Sequence, residues 1–165
     1  MKKYEFTGET KEIRLLFRTA TLHRIRATVA FGIVEVGDLG GWIEKEENLS
    51  HEGKAWVCGD AEVWGDAKVC GDAEVCGDAK VFSASHVLVI GAIGSRNDFT
   101  TFYRDKDNEI TVKCGCFLGK IDRFLEKVTQ THGDSKYALV YRAAVEVAKL
   151  QIDLSGEAPK DADEE

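Results

Sequence analysis

The sequence predicts a mainly β fold in four parts. These are an N-terminal β region over 1–46, a block of six-residue repeats over 47–94, an α+β cap domain over 95–154 and a disordered acidic tail over 155–165. Three observations carry the prediction. A small residue, any residue and a branched apolar residue recur every six positions through the middle of the chain. Runs of high β propensity precede that block. Apolar residues at helical spacing follow it.

The first part reads as strands over 11–17 and 21–28, with Arg18-Thr19-Ala20 as the turn between them. The stretch GDLGGWIE follows, and its glycines at 37, 40 and 41 mark further turns.

The repeat runs through Ala55-Trp56-Val57, Ala61-Glu62-Val63, Ala67-Lys68-Val69, Ala73-Glu74-Val75 and Ala79-Lys80-Val81. Ser85-His86-Val87 and Gly91-Ala92-Ile93 extend it to seven units. Gly-Asp dipeptides at 59, 65, 71 and 77 supply the corners. A period of six suits a short strand and a corner, and three such sides make a triangular lap of eighteen residues. Residues eighteen apart then stack on adjacent rungs, about 4.8 Å apart. This places Glu62 beneath Lys80, Trp64 beneath Phe82 and Cys58 beneath Cys76, with Val63 and Val81 inside. The outward row Trp64, Cys70, Cys76, Phe82 is too apolar for a solvated face. It either packs on the rest of the chain or forms a subunit interface.

These units resemble the hexapeptide-repeat family, whose fold is a left-handed parallel β-helix. The resemblance implies a short left-handed parallel β-helix between the N-terminal β-strands and the C-terminal α+β domain. It also implies a homo-oligomer, most naturally a trimer. The ordered motifs LHRIRA, GDLGGWIE, ENLS and AWVCGDA look like those of small phage and prophage proteins, and GSRND, CGCFLG and THGD continue the likeness. No activity comes with that resemblance. It implies a bacterial cytoplasmic setting and a role against host defence.

After the repeats, Phe99 to Arg104 and Glu109 to Cys116 read as a hairpin around the turn Asp105–Asn108. Ile121, Phe124, Leu125 and Val128 form one apolar stripe of a helix running to about Thr131, with Gly133 at its end. Ser135 is placed to cap a second helix from Lys136 to about Leu154, with Tyr137, Tyr141, Ala144 and Ala148 on one face.

The 165 residues carry a net charge of −7, which argues against nonspecific nucleic-acid binding. No run of 18 apolar residues marks a membrane span. The start MKKYEFTGET lacks the apolar stretch of a signal peptide, so a cytoplasmic location is expected, with all five cysteines free.

Candidate binding residues fall in two places. The turn GAIGSRND gathers Ser95, Arg96 and Asn97, and a guanidinium suits planar phosphate or carboxylate recognition. Lys113, Lys120, His132 and Tyr137 join it if the second domain folds back, and Arg96 otherwise pairs with a local acid. The second place is the basic N-terminal sheet, where alternation sets Arg24 and Arg26 on one face. Hexapeptide folds often belong to acyltransferases that use a His base, for which His51 and His86 are the candidates. Cys114-Gly115-Cys116 with His132 makes only an incomplete metal site. No catalytic residue, metal or cofactor is assigned. The expected function is a non-enzymatic binding protein that sequesters a nucleotide-like anionic signal or a bacterial defence protein. An acyltransferase-like enzyme and a structural oligomerisation module are the alternatives.

Overall fold

The computed structural model describes residues 2–162. In chain order the strands are β1 (Tyr4–Arg14), β2 (Thr19–Ala27), β3 (Leu39–Ile43), β4 (Trp56–Val57), β5 (Glu62–Val63), β6 (Glu74–Val75) and β7 (Lys80–Val81). Then come β8 (Val87–Ile93), β9 (Asp98–Arg104), β10 (Ile110–Cys114), β11 (Phe117–Lys120) and the helices α1 (Ile121–His132) and α2 (Lys136–Gln151). They form a five-stranded sheet β1-β2-β3-β5-β7, a four-stranded sheet β11-β10-β9-β8 and the pair β4-β6. Among the described residues no helix is long and apolar enough to cross a membrane.

The short left-handed parallel β-helix is not what forms. The eighteen-residue stacking does occur, since Glu62 faces Lys80 and Trp56 faces Glu74 in parallel register. Each rung holds only two strand residues, however, and β5 and β7 continue a sheet whose β1, β2 and β3 are antiparallel. The last two expected units are also absent as rungs. Val87 to Ile93 is a single strand that pairs antiparallel with β9. The reason is local: a small-x-branched hexad and a continuous β-strand place the same residues on alternate faces, so the pattern cannot mark where rungs stop.

The alanines and branched residues of the repeat do form an interior. Ala55, Val57, Ala61, Val63, Val69, Val75, Ala79 and Val81 are all buried in one cluster. Each valine taken out of water there is worth about 2 kcal/mol. The corners need glycine. Gly65 has φ +61°, and a Cβ on it would stand 2.7 Å from the Phe82 carbonyl oxygen of the next rung. The buried Asn48 fills another corner, donating to the carbonyls of Gly65 and Ala67 and accepting from Lys45 N–H.

Side chains close both ends of the rungs. At one end Lys3 Nζ donates to the Ala55 carbonyl at 2.6 Å and Tyr4 Oη to the Leu49 carbonyl at 2.7 Å. At the other, β9 crosses the last rung. Thr101 Oγ1 accepts from Glu74 N–H, and Tyr103 Oη both accepts from Cys76 N–H and donates to its carbonyl. An open ladder would otherwise leave these groups without partners.

The hairpin β1-β2 changes face along its length. Register shifts fall between Phe6 and Thr10 and between Arg24 and Arg26. Tyr4, Ile25 and Ala27 accordingly join the rung interior, whereas Ile13, Ala20 and Leu22 pack over Trp42 and Trp64. Trp64 stacks on Phe82 at 4.6 Å, so these two members of the apolar row are covered within the chain. Cys58 and Cys76 are joined as a disulfide with Cα atoms 4.6 Å apart, which corrects the expectation of five free thiols. Stacking on adjacent rungs brings their sulfurs together.

In the cap domain α1 and α2 cover one face of the antiparallel sheet, with Phe102, Val112, Phe124, Val128, Tyr141 and Val145 among the buried residues. Gly133 ends α1 with φ +57°. Ser135 makes no side-chain cap bond at α2, and Tyr137 lies outside the buried face, where Ala138 is found instead. The C-terminal segment runs along β1: Arg14 N–H donates to the Lys160 carbonyl and Ala162 N–H to that of Glu12. Of the tail expected to be disordered over 155–165, residues 163–165 lie outside the described residues.

Candidate anion pocket in the cap domain

The turn after β8 and the helices meet around a cavity of about 120 Å³ lined by Arg96, Cys114, Cys116, Phe117, Lys127, His132 and Tyr141, among others. Gly94 opens the turn with φ +78°, and a Cβ there would run into the Tyr141 hydroxyl. Only glycine therefore lets the Arg96 turn sit against α2. The β10-β11 hairpin turns through Gly115, over which the Arg96 guanidinium lies: a Cβ on Gly115 would be 2.9 Å from Arg96 Nη2.

An aromatic base supports these groups. Phe124 meets Tyr141 edge-on at 5.7 Å and Phe117 at 5.4 Å, and the His132 ring stacks on Tyr141 at 5.7 Å. Burial, then the neighbouring Cys114 thiol, pushes the Tyr141 pKa up, which keeps its hydroxyl protonated as a donor. Thr100 Oγ1 donates to Cys114 Sγ at 3.4 Å.

Among the described residues the basic groups of this pocket enter no ion pair, although Asp98, two residues from Arg96, acts on Tyr141. Elsewhere in the cap domain Lys120 pairs with Asp105, Asp107 and Glu109, Arg142 with Asp134 and Lys149 with Glu146. Among the described residues no ion pair takes Arg96, Lys127 or His132.

Of the expected binding residues, Arg96 and His132 come together. Tyr137 stands beside them at the rim, its ring 5.8 Å from that of His132. Ser95 and Asn97 are exposed on the turn and do not line the cavity. Lys120 does not join either. The wholly buried carboxylate of Asp105, which organises the β9-β10 turn, holds it at 2.9 Å. Arg24 and Arg26 lie on the N-terminal sheet, where Arg24 donates to the Gly40 carbonyl and Arg26 pairs with Glu5. Lys127 was not anticipated. Its signal is helical spacing: Phe124, Lys127, Val128 and Thr131 project from one side of α1 into this cavity.

Both candidate histidine bases have the Nδ1 lone pair engaged. His86 is buried, accepts Phe82 N–H at Nδ1 and faces the Arg104 guanidinium at 3.3 Å with Nε2. Burial and then Arg104 hold its pKa down. His51 accepts Lys3 N–H and stacks on Tyr4. Cys114, Cys116 and His132 line one cavity, but among the described residues no three metal-ligating side chains converge. No protein-family model matches the chain, and no curated protein matches its sequence.

Proposed function

We propose that this chain is a binding protein that takes an anionic, nucleotide-like ligand at the Arg96–Lys127–His132 pocket. The observation that carries the reading is the convergence of Arg96, Lys127 and His132 on one cavity whose lining holds no carboxylate. The cavity suits a single phosphate group, held by the planar fork of Arg96 and the point charge of Lys127. The Tyr141 hydroxyl supplies a neutral donor. Outside, the half-exposed Tyr137 ring beside His132 offers a surface on which a base can stack. Neither His51 nor His86 is available as a base, so the same geometry gives sequestration more support than acyl transfer.

Thermal shift with ADP-ribose, cyclic nucleotides, pyrophosphate and coenzyme A tests the reading. A melting point raised by several degrees with the phosphate-bearing nucleotides is expected, and lost in Arg96→Ala and Lys127→Ala. A shift that survives both substitutions removes the pocket as the site. No shift with any probe removes the reading. Native mass measured in the same samples tests the homotrimer that the repeat resemblance implies.

A further inference from the structure

A second charged site lies where the C-terminal segment meets β1. Glu62 sits at its floor with a side chain 2% exposed. Its Oε2 takes both Lys11 Nζ at 2.6 Å and Lys80 Nζ at 2.8 Å, while its Oε1 has no hydrogen-bond donor. Two ammonium groups thus share one buried carboxylate, and the site lacks one negative charge. Asp161 brings that charge from the tail, 3.5 Å from each lysine. Burial alone would raise the Asp161 pKa, but Lys80, a hydrogen bond with the Glu62 carboxyl and then Lys11 hold it below the usual carboxylate range.

The backbone around Asp161 behaves as an added strand. Asp161 pairs antiparallel with Ile13 on the edge of β1 not used by β2. Arg14 N–H donates to the Lys160 carbonyl at 3.1 Å, Ala162 N–H to the Glu12 carbonyl at 2.8 Å, and Arg14 Nη2 to the Ala162 carbonyl at 2.8 Å. The segment is fixed at its base, where the buried Arg104 donates to the carbonyls of Ser155 and Gly156. Beyond Gly156, at φ +72°, no side chain of the segment enters any of the three buried clusters. A cavity of about 690 Å³ remains beside it, where carboxylates including Asp60, Asp78 and Asp107 outnumber the lysines, so the unbalanced positive charge is local to Lys11 and Lys80.

We propose that this groove is a recognition site for an extended peptide segment that seats one carboxylate between Lys11 and Lys80, and that residues 157–162 are its resident, displaceable occupant. The free edge of β1 supplies register through backbone hydrogen bonds, and the Lys11–Lys80 pair selects a carboxylate two residues from the segment's Pro. A partner segment enters by replacing Asp161 and its neighbours. The tail, tethered in cis at an effective concentration of about a millimolar, lowers the apparent affinity for any such partner.

The test is fluorescence anisotropy with a fluorescein-labelled peptide of residues 155–165, titrated with the full chain and two full-chain variants. Ala162→Pro removes the N–H that Glu12 accepts. Asp161→Lys sets the tail's charge against Lys11 and Lys80. Both variants are expected to bind the peptide at least tenfold more tightly than the unaltered chain, and a peptide carrying Asp161→Lys is expected to bind none of the three. Circular dichroism confirms that each variant is folded. Equal affinity for all three folded chains overturns the proposal, as does binding to none of them or equal binding of the charge-reversed peptide.

Discussion

Lys80 stands opposite Glu62 on a neighbouring parallel strand, and its ammonium lies 2.8 Å from the buried Glu62 carboxylate. The two are eighteen residues apart in sequence, so one lap of the repeat creates a buried ion pair. Lys11 reaches the same oxygen from β1 and also lies over the Trp42 ring at 4.8 Å. Replacing Glu62 by Gln leaves two ammonium groups with Asp161 as the one remaining carboxylate between them. A loss of about 3 kcal/mol in urea unfolding is expected, because an uncompensated buried charge costs more than the pair gains. Lys80→Met is expected to cost less, since Lys11 still neutralises the carboxylate. Equal stability of Glu62→Gln and the unaltered chain would mean that the pair contributes nothing.

Tyr103 offers a second test, at the end of the rungs. Its hydroxyl is the partner of both the N–H and the carbonyl of Cys76, at 3.3 and 2.8 Å. Tyr103→Phe keeps the ring in the core and removes only those bonds. Two buried backbone groups are then unsatisfied, at a cost of about 1–3 kcal/mol. Native-state hydrogen exchange checks the location as well as the amount: the Cys76 amide should lose protection before the core amides of Val63 and Val81. Unchanged exchange at Cys76 would show that the hydroxyl is not its protector.

These two sites show what the sequence makes readable. The hexad period places Glu62 against Lys80 and Trp64 against Phe82, because a repeated unit constrains its nearest copies. It carries nothing about the strands that extend the rungs, so the mixed sheet built with β1, β2 and β3 is invisible in it. The β9-β10 hairpin and α1 are legible from local turn and helix chemistry. In the candidate pocket Arg96 and His132 each have an acid two residues on, Asp98 and Asp134, so their lack of an ion pair is visible only in the fold. Lys120 misleads because Asp105, fifteen residues earlier, captures it through a fold-level contact. The closing role of Lys3, Tyr4, Thr101 and Tyr103 depends on which backbone groups remain open, and that is defined only once the rungs exist.

The disulfide between Cys58 and Cys76 closes a loop of 18 residues. Constraining a loop of that size in the unfolded chain is worth about 3 kcal/mol. A lower melting point is therefore expected in dithiothreitol, and the double variant Cys58→Ser, Cys76→Ser should match the reduced chain. Cys70, Cys114 and Cys116 are free, so labelling with a thiol reagent before and after reduction should report three and then five reactive groups under denaturing conditions. Five groups without reduction, or a melting point indifferent to the reductant, would remove the bond from the stability of this chain.

The pH dependence of stability provides the last test, at Lys3. Its ammonium is buried under the rungs, donates to the Ala55 carbonyl at 2.6 Å and lies over the Phe31 ring at 4.7 Å. Burial lowers its pKa from 10.5 to about 8, and the more distant Asp72 only partly opposes this. The folded chain therefore gives up this proton near pH 8, while the unfolded chain keeps it until pH 10.5. Between those values the unfolded state binds more protons, so stability rises with pH. Tyr4 and Tyr103 act the other way. Burial raises both above their ordinary 10.0, so above about that pH the unfolded chain loses protons that the folded chain retains, and stability falls. The melting point should climb from pH 8 toward 10 and then turn down. In Lys3→Met the climb should vanish while the decline remains, because the tyrosines are untouched. A climb of equal size in Lys3→Met would assign that proton to another group.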